Sequence, residues 1–121
     1  MAAQKVLICD DEEGIRESLK LILEDHYDLI LTEGGEQCLS CLDHGPDIGL
    51  VLIDIKMPKV DGLGILRQIK QKRPELKVVV ITGYKSVETA AEASRLGAAG
   101  YIVKPFDAKE IFETVKINLK A

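Results

Sequence analysis

At 121 residues, 46% of them apolar, the chain has room for one domain over residues 1–121 with a single good core. Its net charge of −4 argues against a large nucleic-acid-binding face within that domain. No apolar stretch approaches the ~20 residues that span a bilayer, so no membrane segment is expected. The start, Met1-Ala2-Ala3-Gln4-Lys5-Val6, lacks the long apolar segment of a secretory signal, and the expected location is the cytoplasm.

In chain order, Lys5 to Cys9 is an apolar run too short for a helix and bounded by Asp10-Asp11, which reads as a buried strand. Glu12 to about Asp25 is a helix with Ile15, Leu19, Ile22 and Leu23 on one stripe and acids at its start, where the helix dipole favours them. Tyr27 to Thr32 is a less uniform strand, placed nearer an edge. Gly35 to Asp43 is a short helix stopped by Gly45-Pro46. Ile48 to Ile53 is a strand apolar on both faces, ending on Asp54 and then breaking at Met57-Pro58 and Asp61-Gly62.

A third helix runs to about Lys72, with Leu63, Leu66 and Ile69 on one face and Pro74 closing it. Lys77 to Ile81 is the plainest strand, ended by Thr82-Gly83. Ser86 to Leu96 is an alanine-rich helix with Gly97 as its left-handed terminator. Gly100 to Val103 is a fifth strand, ending at Lys104-Pro105. Asp107-Ala108-Lys109-Glu110 has the form of a capping box opening a last helix, with Ile111, Phe112, Val115 and Leu119 inward. Strands alternate with helices five times at spacings that suit βα units, so the fold class is α/β, a three-layer sandwich around an open parallel sheet.

Three cysteines without scaffold spacing suit a reducing compartment. Cys9 reads as a small core residue. Cys38 and Cys41 form a C-x-x-C followed by His44, but the pair falls inside a helix. A redox pair belongs at a helix amino terminus, and no second cysteine pair completes a zinc set. No metal is assigned there.

A parallel sheet collects its strand carboxyl ends on one edge. The first strand delivers Asp10 and Asp11, the third Asp54, the fourth Thr82 and the fifth Lys104. Each has a local reading as a cap, a turn former or a solvated lysine, but all those readings must hold together to dismiss the group. Three clustered carboxylates repel unless a cation sits among them, and an all-oxygen set favours a hard ion such as Mg²⁺. Asp54 then suits a nucleophile toward a phosphoryl group, with Mg²⁺ and Lys104 neutralising developing charge and Thr82 donating a hydrogen bond.

The set Asp10-Asp11, Asp54 with Lys56-Met57-Pro58 and Asp61-Gly62, Thr82-Gly83, and Lys104-Pro105-Phe106 resembles the receiver domain of bacterial two-component response regulators. The resemblance runs from about Lys5 to Leu119. It implies a doubly wound, flavodoxin-like (βα)5 fold with strand order 2-1-3-4-5. It implies that Asp54 accepts a phosphoryl group from a phosphohistidine of a sensor histidine kinase or phosphotransfer protein. Asp11, Asp54 and the Lys56 carbonyl would bind Mg²⁺ directly, and Asp10 through water. Lys104 would pair with the phosphate, Thr82 would move toward it, and Tyr101 would swing into the space vacated. A cis bond at Lys104-Pro105 is expected as well.

The resemblance makes the domain a phosphoacceptor switch in phosphorelay signalling rather than an enzyme acting on an external substrate. Its expected output face is the fourth helix, fifth strand and fifth helix, with Glu88, Lys109 and Glu113 outward. An attached output domain (a transcriptional one by weak analogy) or a partner protein would dock there, and a homodimer could form on phosphorylation. Lys56, Gly83 and Tyr84 stand where they can modulate the site: Lys56 by pairing with Asp54 or the phosphoryl group, Tyr84 by shielding the acyl phosphate from water. Slow self-dephosphorylation is the corresponding expectation. Two other classes compete: a phosphorylation-independent binding module, and an aspartyl-nucleophile phosphatase, which generally wants an acid where Lys56 stands. A flavin-binding module is weaker still, for want of a hydroxyl-rich loop after the first strand.

Overall fold

A computed structural model describes residues 4–45, 47–57 and 61–119. Five strands and five helices alternate: β1 (Lys5–Cys9), α1 (Glu13–Leu23), β2 (Asp28–Thr32), α2 (Gly35–His44), β3 (Ile48–Ile53), α3 (Gly62–Lys72), β4 (Lys77–Thr82), α4 (Val87–Arg95), β5 (Gly100–Val103) and α5 (Ala108–Asn118). The strands form one parallel sheet in the order β2-β1-β3-β4-β5, as the sequence reading expected.

Side chains alternate across each strand, and the two resulting faces bury separate clusters. Leu7, Cys9, Val51, Ile53, Val78 and Val80 pack with Cys38 and Leu42 of α2, Leu66 and Ile69 of α3, and Ala93 of α4. Val6, Ile8, Leu50, Leu52, Val79 and Ile81 pack with Leu19 and Leu23 of α1 and Ile111 and Val115 of α5. Both faces are therefore covered, which explains why the central strands are uniformly apolar rather than alternating. Each large aliphatic side chain so buried stabilises the fold by about 1.5–3 kcal/mol, enough in sum to hold polar groups at one sheet edge at a net cost.

Element boundaries move by one or two residues from their predicted places, as helix ends do. Thr82 belongs to β4 rather than to the turn after it. Asp107 caps α5, its side chain accepting from the Glu110 N–H at 2.7 Å. Gly97 has φ +102°, the left-handed terminator expected after α4. Gly62 is needed for a different reason: a Cβ there would fall on the Ile55 backbone, so only glycine lets α3 begin so close to the end of β3. The expected breaks at Pro46 and Pro58 lie outside the described residues.

Candidate functional site: a carboxylate and lysine group at the sheet edge

Strand order reverses at β1, between β2 on one side and β3 on the other, and the crevice beyond such a reversal is where open α/β sheets bind ligands. Two carboxylates stand in it. The ladder continues one residue past each strand: the Asp54 N–H donates to the Cys9 carbonyl at 2.9 Å and the Asp10 N–H to Thr32 at 3.1 Å. On the other side of β3, the Lys104 N–H donates to the Thr82 carbonyl at 2.8 Å, which sets the lysine at the same edge. Asp10 and Asp54 are each only 2% exposed, and Thr82 is fully buried.

The two aspartates are held alike. Each accepts at Oδ1 from the backbone N–H two residues on, Glu12 at 2.9 Å for Asp10 and Lys56 at 2.7 Å for Asp54. Each accepts at Oδ2 from the Lys104 ammonium, at 2.9 Å and 2.8 Å respectively. Each aspartate thus forms its local turn with one oxygen and still presents the other to the shared lysine. Burial pushes the Asp10 carboxyl above the ordinary aspartate range, opposed by the Glu12 N–H and the Lys104 ammonium. Burial also works against the charge on Lys104, but its bonds to Asp54 and Asp10 outweigh that and hold its pKa above the usual lysine value. Lys104 is the charged centre of the group.

Ligand oxygens of Asp10, Asp11, Glu12 and Asp54 lie within 4.8 Å of one another. Four carboxylates at that separation are a hard, all-oxygen donor set that suits a divalent cation. Of the predicted carboxylate ligands, Asp10 and Asp54 are buried and Asp11 is exposed. Among the described residues, Cys38, Cys41 and His44 are not in such a group. The His44 Nδ1 lies 2.9 Å from the Ser40 carbonyl, Cys38 is buried in the core, and all three cysteines are free.

The remaining predicted residues line the rim. The Thr82 Oγ1 accepts from the Tyr84 N–H at 3.4 Å, and the Tyr101 hydroxyl donates to the Tyr84 carbonyl at 2.8 Å. Tyr101 is half-buried against the α2–α3–α4 cluster. Of the two pairings expected of Lys56, with Asp54 or with the phosphoryl group, its ammonium does not make the first in this structure. It sits over the Tyr84 ring, 5.3 Å from the centroid, and its stem passes above Gly83. The Lys104-Pro105 bond is cis. Glu88, Lys109 and Glu113 are exposed on α4 and α5.

Two residues were missed by sequence reasoning. Glu12 brings a further carboxylate to Lys104, Oε1 to Nζ at 3.2 Å. Arg16, with a side chain 12% exposed, donates to the Asp10 carbonyl at 2.7 Å and to Glu33 at 3.3 Å, tying α1 and the β2–α2 turn to the end of β1. A signal for Arg16 was present. A cation in the first turn of a helix opposes the dipole and suggests an anionic or carbonyl partner elsewhere.

The fold and the edge group together define a doubly wound α/β domain whose crevice holds clustered carboxylates around one lysine. The family model for the response regulator receiver domain matches residues 6–116, and the chain belongs to that family, the signalling phosphoacceptors of two-component systems. It is 37% identical to response regulator protein FleR of Pseudomonas aeruginosa over 93% of its own length, but spans only 24% of that protein. It is 36% identical to sporulation initiation phosphotransferase F of Bacillus subtilis, covering 96% of this chain and 94% of that one. Among solved structures, a CheY-like receiver domain from Methanospirillum hungatei superposes with a TM-score of 0.91 at 31% identity, covering 98% of this chain and 94% of the other.

Proposed function

We propose that Asp54 is the phosphoacceptor. The observation that carries this reading is a carboxylate 2% exposed at the end of a central strand, with Oδ2 on Lys104 and Oδ1 on the Lys56 N–H, inside a group of further acids. A carboxylate oxygen of Asp54 attacks phosphorus. The bond from phosphorus to the donor (a phosphohistidine nitrogen, or the acyl oxygen of acetyl phosphate) breaks, and its electron pair leaves with the donor. The product is an aspartyl phosphate.

Asp11, Asp54 and the Lys56 carbonyl are the residues that would hold Mg²⁺, with Asp10 acting through water. The oxygen-only donor set fits that ion. Bound Mg²⁺ would supply positive charge to neutralise the phosphoryl oxygens. Lys104 supplies a second cation to the same oxygens. Thr82 donates its hydroxyl to a phosphoryl oxygen, drawing in the β4–α4 turn. Tyr101 follows through its bond to the Tyr84 carbonyl, so one added charge cluster shifts the α4–β5–α5 face. The domain's only catalysis is of its own phosphorylation and dephosphorylation.

The donor is a sensor histidine kinase or phosphotransfer protein, and the α4–β5–α5 face serves an output domain, a partner protein or a second copy. Relatives named as regulators, of which this chain spans about a quarter to a half, support an attached output domain that controls transcription. No described helix is long and apolar enough to cross a membrane, which is compatible with a cytoplasmic location.

Tyr84, 42% exposed with the Lys56 ammonium over its ring, shields the acyl phosphate, so the phosphorylated form decays slowly. A Tyr84→Ala variant should lose phosphate faster than wild type, and an unchanged rate removes the shielding role. The phosphoacceptor reading itself is tested by intact mass after incubation with acetyl phosphate. One added phosphoryl group that requires Mg²⁺ and is absent in Asp54→Asn is expected. No adduct with acetyl phosphate or a phosphohistidine donor leaves a phosphorylation-independent binding module.

A further inference from the structure

An ammonium has three N–H donors. Lys104 meets three carboxylate acceptors: Asp54 at 2.8 Å, Asp10 at 2.9 Å and Glu12 at 3.2 Å. It therefore has no donor to spare. The three acceptors are not equivalent. Asp10 and Asp54 are buried, and each is anchored a second time through Oδ1 to a backbone N–H. The Glu12 side chain is 61% exposed, and among the described residues Lys104 is the partner that holds its carboxylate. Glu12 occupies the N-cap position of α1, yet its side chain makes no capping bond there. The carboxylate turns away from the helix end, where it would be favoured, and toward the lysine.

We propose that Glu12 is a positioning residue, a placeholder anion that takes one Lys104 donor in the unphosphorylated chain and gives it up when a phosphoryl oxygen arrives. The inference rests on the reading of Asp54 as phosphoacceptor. A phosphoryl group on Asp54 brings nearly two negative charges and three strong acceptors beside Lys104. The esterified Asp54 oxygen frees one Lys104 donor, and a second phosphoryl oxygen reaches the lysine only when Asp10 or Glu12 releases it. Asp10 would be left buried with one oxygen unpaired, whereas Glu12 returns to water, so Glu12 is the partner that leaves. Until then it keeps the lysine oriented and stands against any small anion approaching it. Glu12 thereby lowers the affinity of the site for phosphoryl-like anions.

The test is beryllofluoride, a stable mimic of an aspartyl phosphate, titrated into wild type and Glu12→Gln at saturating Mg²⁺, with binding followed by calorimetry or amide chemical shifts. The variant should bind about two- to five-fold tighter, the range an exposed ion pair can exert. That gain should shrink at ~1 M salt, where charges are screened beyond ~3 Å. Acetyl phosphate should label the variant faster in the same proportion. Equal or weaker beryllofluoride binding by Glu12→Gln overturns the placeholder role while leaving Asp54 as the acceptor. A wild-type protein that binds no beryllofluoride overturns the phosphoacceptor reading, and the placeholder role with it.

Discussion

The two ends of the sheet carry the same contact in opposite settings. At the amino end, the Lys5 ammonium meets Asp47 at 2.8 Å, with side chains 38% and 61% exposed. At the carboxyl end, Lys104 meets Asp54 at 2.8 Å, with side chains 11% and 2% exposed. Distance alone does not distinguish them. The exposed pair gains little over hydration and is screened by salt. The buried pair cannot fall back on water, so each partner makes the other tolerable. The first end is ordinary surface. The second is a store of constrained charge that one added group can rearrange.

The largest effect should come from Lys104→Met. Removing the shared cation leaves Asp10 and Asp54 buried against each other, and metal-free protein at pH 7 should lose about 3 kcal/mol or more of unfolding free energy. Urea denaturation measures this, and adding Mg²⁺ should restore part of the loss, because the cation replaces the missing charge. A variant as stable as wild type in metal-free buffer would mean that the pairing carries no such weight.

Arg16→Ala comes next. It strips a donor from the carbonyl of buried Asp10 and should cost about 1–3 kcal/mol, read as a lower urea midpoint with an unchanged slope.

Asp10→Asn sharpens the comparison through pH. Burial holds the Asp10 carboxyl above its ordinary range, so the folded chain binds this proton before the unfolded chain does. Stability from this group therefore rises as pH falls from neutral, and is complete below the unfolded value of ~4. In metal-free buffer, Asp10→Asn should gain on wild type at pH 7 and lose that advantage near pH 4. An advantage independent of pH would contradict the sign. The smallest effect belongs to Lys5→Ala, whose urea midpoint should stay at the wild-type value, because its pair is exposed at the other end of the sheet.

Much of the site was legible because a parallel sheet converts separate strand ends into neighbours. Asp10, Asp54, Thr82 and Lys104 each follow an apolar run, and the βα alternation places those ends on one edge. The partition of Lys104 among three acids was not legible. Glu12 and Lys104 are 92 positions apart, and nothing local distinguishes Glu12 from an acid favoured at a helix start. The Lys56–Tyr84 contact was hidden for a related reason. Both residues were placed near the site, but which acceptor a flexible lysine chooses depends on competitors, and Lys104 already occupies the Asp54 carboxylate. Asp10 and Asp54 show the converse. A turn bond and a pairing with Lys104 compete on paper, yet each aspartate has two oxygens and makes both.

The central claim is that phosphate goes to the buried end of this comparison, at one carboxylate. Borohydride reduces an acyl phosphate to the alcohol, so it marks the acceptor in the sequence. Protein treated with acetyl phosphate and Mg²⁺, reduced and then mapped by peptide mass spectrometry should carry homoserine at position 54 and unmodified aspartate at positions 10 and 11. Homoserine at either of those positions, or at none in protein that has gained a phosphoryl group, would contradict the account.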